Sequence, residues 1–352
     1  NIPLIGGMAI FLASLIAFHA LVYLDPDNEI IGHSQFTAFF IGSAILIIVG
    51  VLDDYRELGP TTRFVAQIFA ALIMIFDGGV VLTDLGRLWY SDELLMLGIL
   101  SVPFTVFACL GVINAMNMCD GLDGLSGSLA LIALAGLGIA DALWGSTLHQ
   151  PLIAIFAACV AGFLVFNLRT VWRSRAWVFL GDAGSMLLGF ALAWLLLCIA
   201  QGDERVVSPA AALWFLMLPI YDAVSMMLRR ILRGQSPFAA DREHLHHILL
   251  LAGFSVPETV TLMCGIAIAG VSVGLLGVWL EVRELWLATL FLIGGLLYYW
   301  MVCRAWRVMR FLKRSICRRA SEDRRTDPSA TGIRQAYTGS ERRSGADRRK
   351  RS

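Results

Sequence analysis

The sequence is poor in charge and nearly without lysine. Charged residues make up 16% of its 352 positions, where a soluble chain carries about 25%. Lysine occurs only at Lys313 and Lys350. The first 312 residues therefore cannot use a Walker-type lysine, and no GxxxxGK stretch exists. There is no CxxC pair and no zinc-type spacing. Of the seven cysteines, Cys109, Cys159, Cys198, Cys264 and Cys303 lie inside apolar runs, so they read as small buried hydrophobes and not as a disulfide framework. Ser126 and Ser185 have no base beside them in sequence, and a serine nucleophile is not read. No cleavable signal peptide is visible, and none is needed if the first span anchors the chain. The chain opens at Asn1, without methionine and close to an apolar run, so a further N-terminal segment is expected.

What is abundant is apolar. Hydrophobic residues reach 58%, and the mean hydropathy is +0.72. The expected fold is all-α, a polytopic membrane bundle. About 20 apolar residues cross a bilayer as a helix, and ten runs come close: Leu4–Leu24, Phe36–Leu52, Phe64–Leu82, Leu94–Met118, Leu125–Trp144, Pro151–Leu168, Ser185–Ala200, Val206–Leu228, Thr259–Leu280 and Leu285–Cys303. Residues 1–303 form one membrane domain on this reading. Residues 304–352 form a tail with sixteen basic and five acidic residues, whose distal part is too polar to bury a core and is expected to be disordered.

The loops alternate in charge. Of the 28 Lys and Arg, only Arg87, Arg205 and Arg283 fall on one side of the spans. The positive-inside rule makes the other side cytoplasmic, together with both ends of the sequence. The chemistry gathers on that side. Asp53-Asp54 closes the second run in GVLDDYREL. Asn114 to Leu125, NAMNMCDGLDGL, closes the fourth. FLGDAGS, with Phe179 and Asp182, opens the seventh. Asp222 lies near the cytoplasmic end of the eighth, and SPFAADREHLHH follows it with Arg242, His244, His246 and His247. Ionisable residues at a span are expensive, so a functional role is the default. Asn114 and Asn117 are three apart, as are Asp120 and Asp123, and each pair shares a face if the helix continues. Gly121 and Gly124 permit a tight turn and close approach. Asp77, Asp84 and Asp141 read as interfacial anchors, and His246-His247 has a solvated helix start as its bland alternative.

Clustered carboxylates beside amides and a glycine turn suit Mg²⁺, which takes oxygen ligands together with substrate phosphates. The GDAGS turn can offer backbone N–H groups to an anion. Phe179 suits stacking on a base, and the Arg and His residues of the eighth-to-ninth loop suit phosphate or sugar oxygens. The picture is Mg²⁺-dependent chemistry on a phosphorylated substrate at the membrane surface, with Mn²⁺ as an alternative metal. A transporter would instead put its acids near mid-span in broken helices.

GVLDDYREL, NAMNMCDGLDGL, FLGDAGS and SPFAADREHLHH together resemble the polyprenyl-phosphate N-acetylhexosamine-1-phosphate transferases, from Gly6-Gly7 to about Phe254. The last loop is similar to that of the bacterial branch that starts O-antigen and enterobacterial common antigen. The peptidoglycan branch, which uses UDP-MurNAc-pentapeptide, carries a triple His there, whereas this chain has His-Leu-His-His. The resemblance implies that a UDP-sugar and undecaprenyl phosphate give undecaprenyl-diphospho-sugar and UMP, in the bacterial inner membrane. The implied sugar is GlcNAc, with N-acetylfucosamine and N-acetylquinovosamine as alternatives. By the same analogy Asp182 and Asn117 bind Mg²⁺ and the diphosphate, Asp53 and Asp54 sit by the lipid phosphate with one as base, and Asp120 and Asp123 shape the nucleotide site. Asn114 and Arg242 join the substrate-binding set, Phe179 stacks on uracil, and His244, His246 and His247 read the sugar. A homodimer is allowed, and no nucleic-acid partner is expected. The family begins with another span and a basic loop ahead of the Gly-Gly segment, so a further phosphate-binding part is expected there.

Overall fold

The computed structural model describes residues 2–24, 33–56, 58–89, 93–145, 149–170, 172–202, 205–236 and 244–326, with backbone alone at 33–34 and 308–326. Their regular structure is helical: α1 (Gly6–Leu24), α2 (His33–Arg56), α3 (Pro60–Phe76), α4 (Ser101–Cys119), α5 (Leu125–Trp144), α6 (Gln150–Asn167), α7 (Gly181–Ala200), α8 (Pro209–Phe215), α9 (Met217–Leu232), α10 (Leu245–Leu251), α11 (Val256–Trp279) and α12 (Glu284–Thr326). Among the described residues eight helices are long and apolar enough to cross a membrane, or nine if α8 and α9 count as one span. The molecule is a multi-pass membrane protein.

All ten apolar runs are largely helical, but three differ from their expected form: the fourth, drawn from Leu94, becomes helical only at Gly98, after residues 95–97 have paired with 83–86, and two others change more. The third, drawn as Phe64–Leu82, stops at Phe76 after 17 residues. Gly78 packs against the Trp194 ring with no room for a Cβ, and Gly79 turns the chain at φ +67°, a conformation that costs only glycine nothing. The eighth, drawn as Val206–Leu228, breaks at Leu216, where α8 and α9 meet at 86°. Pro219 explains the break. It has no N–H to give to the Phe215 carbonyl, and its ring crowds that carbonyl.

α7 is the axis of the bundle. It is apolar all round and buried on nearly every face, with α1, α2, α4 and α5 packed about it. Small residues make the close approaches possible. Gly7 lies against Gly184, Gly50 against Ala183, and Gly189 against Ile113. A ring cluster of Phe39, Phe156, Phe190 and Trp194 fills the middle, with centroids 5.2–5.8 Å apart. At the start of α7 the chain pairs with the N-terminal segment: Phe179 N–H donates to Pro3 O, and Gly6 and Gly7 N–H donate to Phe179 O and Leu180 O at 2.9–3.1 Å.

The contacts divide the chain into two units, Asn1–Met301 and Val302–Ser352. In the second unit the described backbone is helical as far as Thr326. The distal tail lies outside the described residues.

Candidate active site

α7 begins four residues before its apolar run, so Asp182 sits in its first turn. Gly181 makes this possible. Its φ is +75°, and a Cβ there would lie 2.5 Å from Asp54 Oδ2. Asp54, near the end of α2, therefore lies directly over the start of α7, where its Oδ1 accepts from Asp182 N–H at 2.9 Å. Carboxylates are favoured at a helix N-terminus. Asp54 Oδ2 is buried and has no hydrogen-bond partner. The last turn of α4 approaches from the side, where Asn117 Nδ2 donates to Asp182 Oδ1 at 2.7 Å and to Ser185 Oγ at 2.8 Å. Arg63, in the first turn of α3, spans two acids. Its Nη1 lies 3.2 Å from Asp53 Oδ2 and 3.4 Å from Asp182 Oδ2.

The structure thus brings Asp53, Asp54, Asn117 and Asp182 together, from three different helices. It adds Arg63, whose only trace in the sequence is its position on the basic side just after a Gly-Pro turn. Asp120 borders the group. Burial first, and then the negative charges of Asp182, Asp54 and Asp123, push its carboxyl up to about 7, as desolvation and like charge both disfavour the ionised form.

Other expected residues are placed differently. Asn114 and Asn117 do share a face of α4, but Asn114 spends its amide on Gln67 Oε1 and Leu110 O, both at 2.8 Å. Asp120 and Asp123 do not share a helix face, because α4 ends at Cys119 and both acids lie in the turn before α5. Gly124 makes that turn at φ +84°. Asp123 accepts from Arg169 Nε at 2.7 Å and from Ala176 N–H at 3.3 Å. Phe179 stands half-buried at the mouth of α7. Arg242 lies outside the described residues.

The histidines are not a solvated helix start. His246 is 1% exposed and His244 is 6% exposed. A Cβ on Gly121 would lie 2.5 Å from His246 Nε2, so that glycine is the surface on which this ring rests. Burial and the neighbouring imidazoles push His246 down to about 4, so it is neutral at physiological pH. His247 lies beside it, ring centroids 4.2 Å apart.

Two of the three supposed anchors are buried. Asp84 pairs with Arg205 at 2.6 Å, and Asp141 is fully enclosed, while Asp77 is exposed. The broken pair α8–α9 carries one acid, Asp222, as a transporter might. Its carboxylate is spent on His244, Leu245 and Tyr298.

Among the described residues no three His, Cys, Asp or Glu side chains form a closed metal cage. Mg²⁺ seldom uses one. It takes one or two carboxylates and completes its shell with water and substrate phosphates. The oxygens of Asp182 and the unpartnered buried oxygen of Asp54 fit that mode.

The chain has relatives that bear on this geometry. Residues 36–200 match the model of glycosyl transferase family 4. The chain is 34% identical over 333 residues to the undecaprenyl-phosphate alpha-N-acetylglucosaminyl 1-phosphate transferase of Escherichia coli (strain K12), covering 94% of this chain and 87% of that one. To the protein of that name in Yersinia pestis it is 35% identical, covering 92% and 87%. For Haemophilus influenzae the figures are 32%, 89% and 86%. By this likeness along nearly its whole length, the chain belongs to glycosyl transferase family 4, among the polyprenyl-phosphate N-acetylhexosamine-1-phosphate transferases.

Proposed function

We propose that this protein transfers GlcNAc-1-phosphate from UDP-GlcNAc to undecaprenyl phosphate at the cytoplasmic face of the bacterial inner membrane, the first step of a cell-surface polysaccharide. The observation that carries the reading is the meeting of Asp53, Asp54, Asn117 and Asp182 around Arg63 at one end of the bundle. The His-Leu-His-His loop and the relatives' printed name support the sugar. The distribution of arginines supports the orientation.

In this reaction an oxygen of the lipid phosphate attacks the β-phosphorus of the donor. The bond from that phosphorus to the bridging oxygen breaks, and UMP leaves. Phosphoryl transfer asks mainly for positioning and charge neutralisation. Mg²⁺, when bound by Asp182 beside Asn117, supplies charge to the diphosphate. Asn117 fixes the Asp182 carboxylate by donating to one of its oxygens. Asp53 and Asp54 sit by the lipid phosphate, and one of them accepts its remaining proton. Arg63 keeps these acids close while they would otherwise repel one another. Phe179 stacks on uracil at the mouth of α7, and the histidine loop reads the sugar.

The test is UMP release from the purified protein with undecaprenyl phosphate and a panel of donors. Mg²⁺-dependent release with UDP-GlcNAc, and little with UDP-MurNAc-pentapeptide, is expected. No release from any UDP-HexNAc by folded protein would overturn the reading. Preference for the pentapeptide donor would move it to the other branch.

A further inference from the structure

Asp222 has no part in the reaction so far, yet it is 1% exposed within the broken α8–α9 pair. Its carboxylate takes three hydrogen bonds. His244 Nδ1 is 2.8 Å from Oδ2. Leu245 N–H donates to Oδ1 at 3.1 Å, and Tyr298 O–H donates to the same oxygen at 2.8 Å. An ionised carboxylate only accepts, so His244 Nδ1 carries a proton. Asp222 therefore fixes both the backbone at the start of α10 and the rotation of the His244 ring. That ring lies parallel to His246, 3° between planes and 5.5 Å between centroids. His246 in turn rests on Gly121, next to Asp120.

We propose that Asp222 is a positioning residue for donor binding, holding the His244–His246 stack against the Asp120-Gly121 turn so that the histidine loop and the acidic cluster face one substrate in a fixed register. The inference rests on the transferase reading above. A buried charge kept only for stability is a poor choice, since well-packed apolar groups do as well or better. Its three bonds all lead to neighbouring segments, and two of them lead to the histidine loop. Both nitrogens of His246 are buried without a hydrogen-bond partner, so that ring's place is set by contact with its neighbours. Fixing His244 is how this fold sets it.

The experiment is steady-state UMP release with each substrate varied in turn, on the full chain and its variants. Asp222→Asn keeps the volume and one accepting oxygen but presents an amide N–H₂ to His244. The expected result is a rise of about tenfold or more in KM for UDP-GlcNAc, with KM for undecaprenyl phosphate within about twofold of wild type. Tyr298→Phe removes one donor while leaving the His244 bond, and should stay within about twofold in both. The proposal is overturned if Asp222→Asn is indistinguishable from wild type, shifts both KM values together, lowers kcat alone, or is reproduced by Tyr298→Phe. Should Asp222→Asn fail to insert, Leu245→Pro cuts the same link from the loop. Proline is tolerated at the first helical position, and His244 before it is extended, at φ −70° and ψ 159°, as a residue preceding proline prefers. It should raise the donor KM alone, and an unchanged donor KM would overturn the proposal. Wild-type turnover is read first, because its absence counts against the transferase reading and not against this one. The thermal shift produced by UDP-GlcNAc then compares wild type with Asp222→Asn without turnover, and equal shifts would overturn the positioning role.

Discussion

The two ends of α7 treat charge in opposite ways. Beyond its C-terminus lies Asp84, buried and matched. It accepts from Arg205 Nη2 at 2.6 Å and from Gly86 N–H at 2.9 Å. Gln201 braces the site by accepting from Thr83 N–H at 2.8 Å and donating to Asp84 O at 3.1 Å. At the N-terminus, about 30 Å away along a helix of this length, Asp53 and Asp182 share one arginine, and one oxygen of Asp54 is buried without a partner. The first arrangement is complete in itself and can serve only stability. The second holds more negative charge than its own cations offset. That costs folding free energy, and proteins retain such local conflicts chiefly at functional sites. The contrast teaches where to look: an acid with its own cation is architecture, while acids that outnumber theirs suit a cation and phosphates.

The sharpest way to break the comparison is Asp182→Asn. The shape is kept and one charge is lost at the place proposed to hold the cation. Turnover should fall by about 10²–10³, the range seen on removing a preorganised electrostatic group, while membrane insertion and melting temperature change little. Wild-type-like UMP release at low Mg²⁺ would sink the role given to this acid. At the other end Arg205→Met should do the reverse. It leaves Asp84 buried without its cation, for a loss of about 2 kcal/mol in stability, less than a fully buried pair would cost because Arg205 is partly exposed. UMP release per folded molecule should be unchanged. If Arg205→Met cut turnover without changing stability, the two ends would not divide the labour as argued.

The spans were legible in the sequence because lipid imposes a simple pattern. Ten apolar runs became ten helical stretches, and Leu125–Trp144 kept its bounds. The exceptions have local causes. The Pro219 break was readable in principle, since a proline four residues past the last turn of a helix cannot be ignored. The early end of α3 depends on Gly78 meeting Trp194, a contact that no local pattern announces. For the site, Asp53, Asp54, Asn117 and Asp182 could be named from their motifs. Arg63 could not, because one loop arginine looks like another until its two acids are in place. Asn114 and Asp123 carry the same motif chemistry as their neighbours but are engaged by Gln67 and Arg169. Buried histidine against exposed glycine, as at His246 and Gly121, is a tertiary fact with no periodicity to reveal it.

Smaller effects should appear in the dependence of melting temperature on pH, measured without divalent cations. Asp120 is raised from 3.8 to about 7. The folded chain holds that proton after the unfolded chain has released it, so the stability it gives below pH 3.8 is lost as pH rises through 7. Asp120→Asn should therefore remove a fall in stability as pH rises from 3.8 to about 7. His246 is lowered from 6.5 to about 4. Here the unfolded chain takes up the proton first, so stability present above pH 6.5 is lost as pH falls through 4. His246→Gln should flatten that acid decline, and because Asp120 acts over almost the same range in the opposite sense, the two variants should change the slope there with opposite signs. If the two variants changed the slope in the same sense, the burial assigned to one of these groups would be wrong.

The smallest effect expected is from removing the tail. Residues 304–352 hold sixteen basic and five acidic residues, the largest block of positive charge in the chain. Such a block beside a span suits a topology signal or contact with an anionic leaflet, and the apolar residues Trp306, Met309, Phe311 and Leu312 interleaved with Arg307, Arg310 and Lys313 suit the same interface. No residue placed in the active site comes from beyond Met301, where the second unit begins. The described helix runs on to Thr326, and Arg307 Nε donates to Cys303 O at 3.4 Å within the second unit. Truncation after Lys313 keeps the interfacial stretch and removes the rest. In detergent, kcat and both KM values should remain within about twofold of wild type. In vesicles rich in anionic lipid the melting temperature should fall by a few degrees, an effect that salt erases in the wild type as well. Loss of UMP release by a truncated protein that is still folded and inserted would make the tail part of the site, and the division between a charge-mismatched active end and a purely supportive remainder would fail.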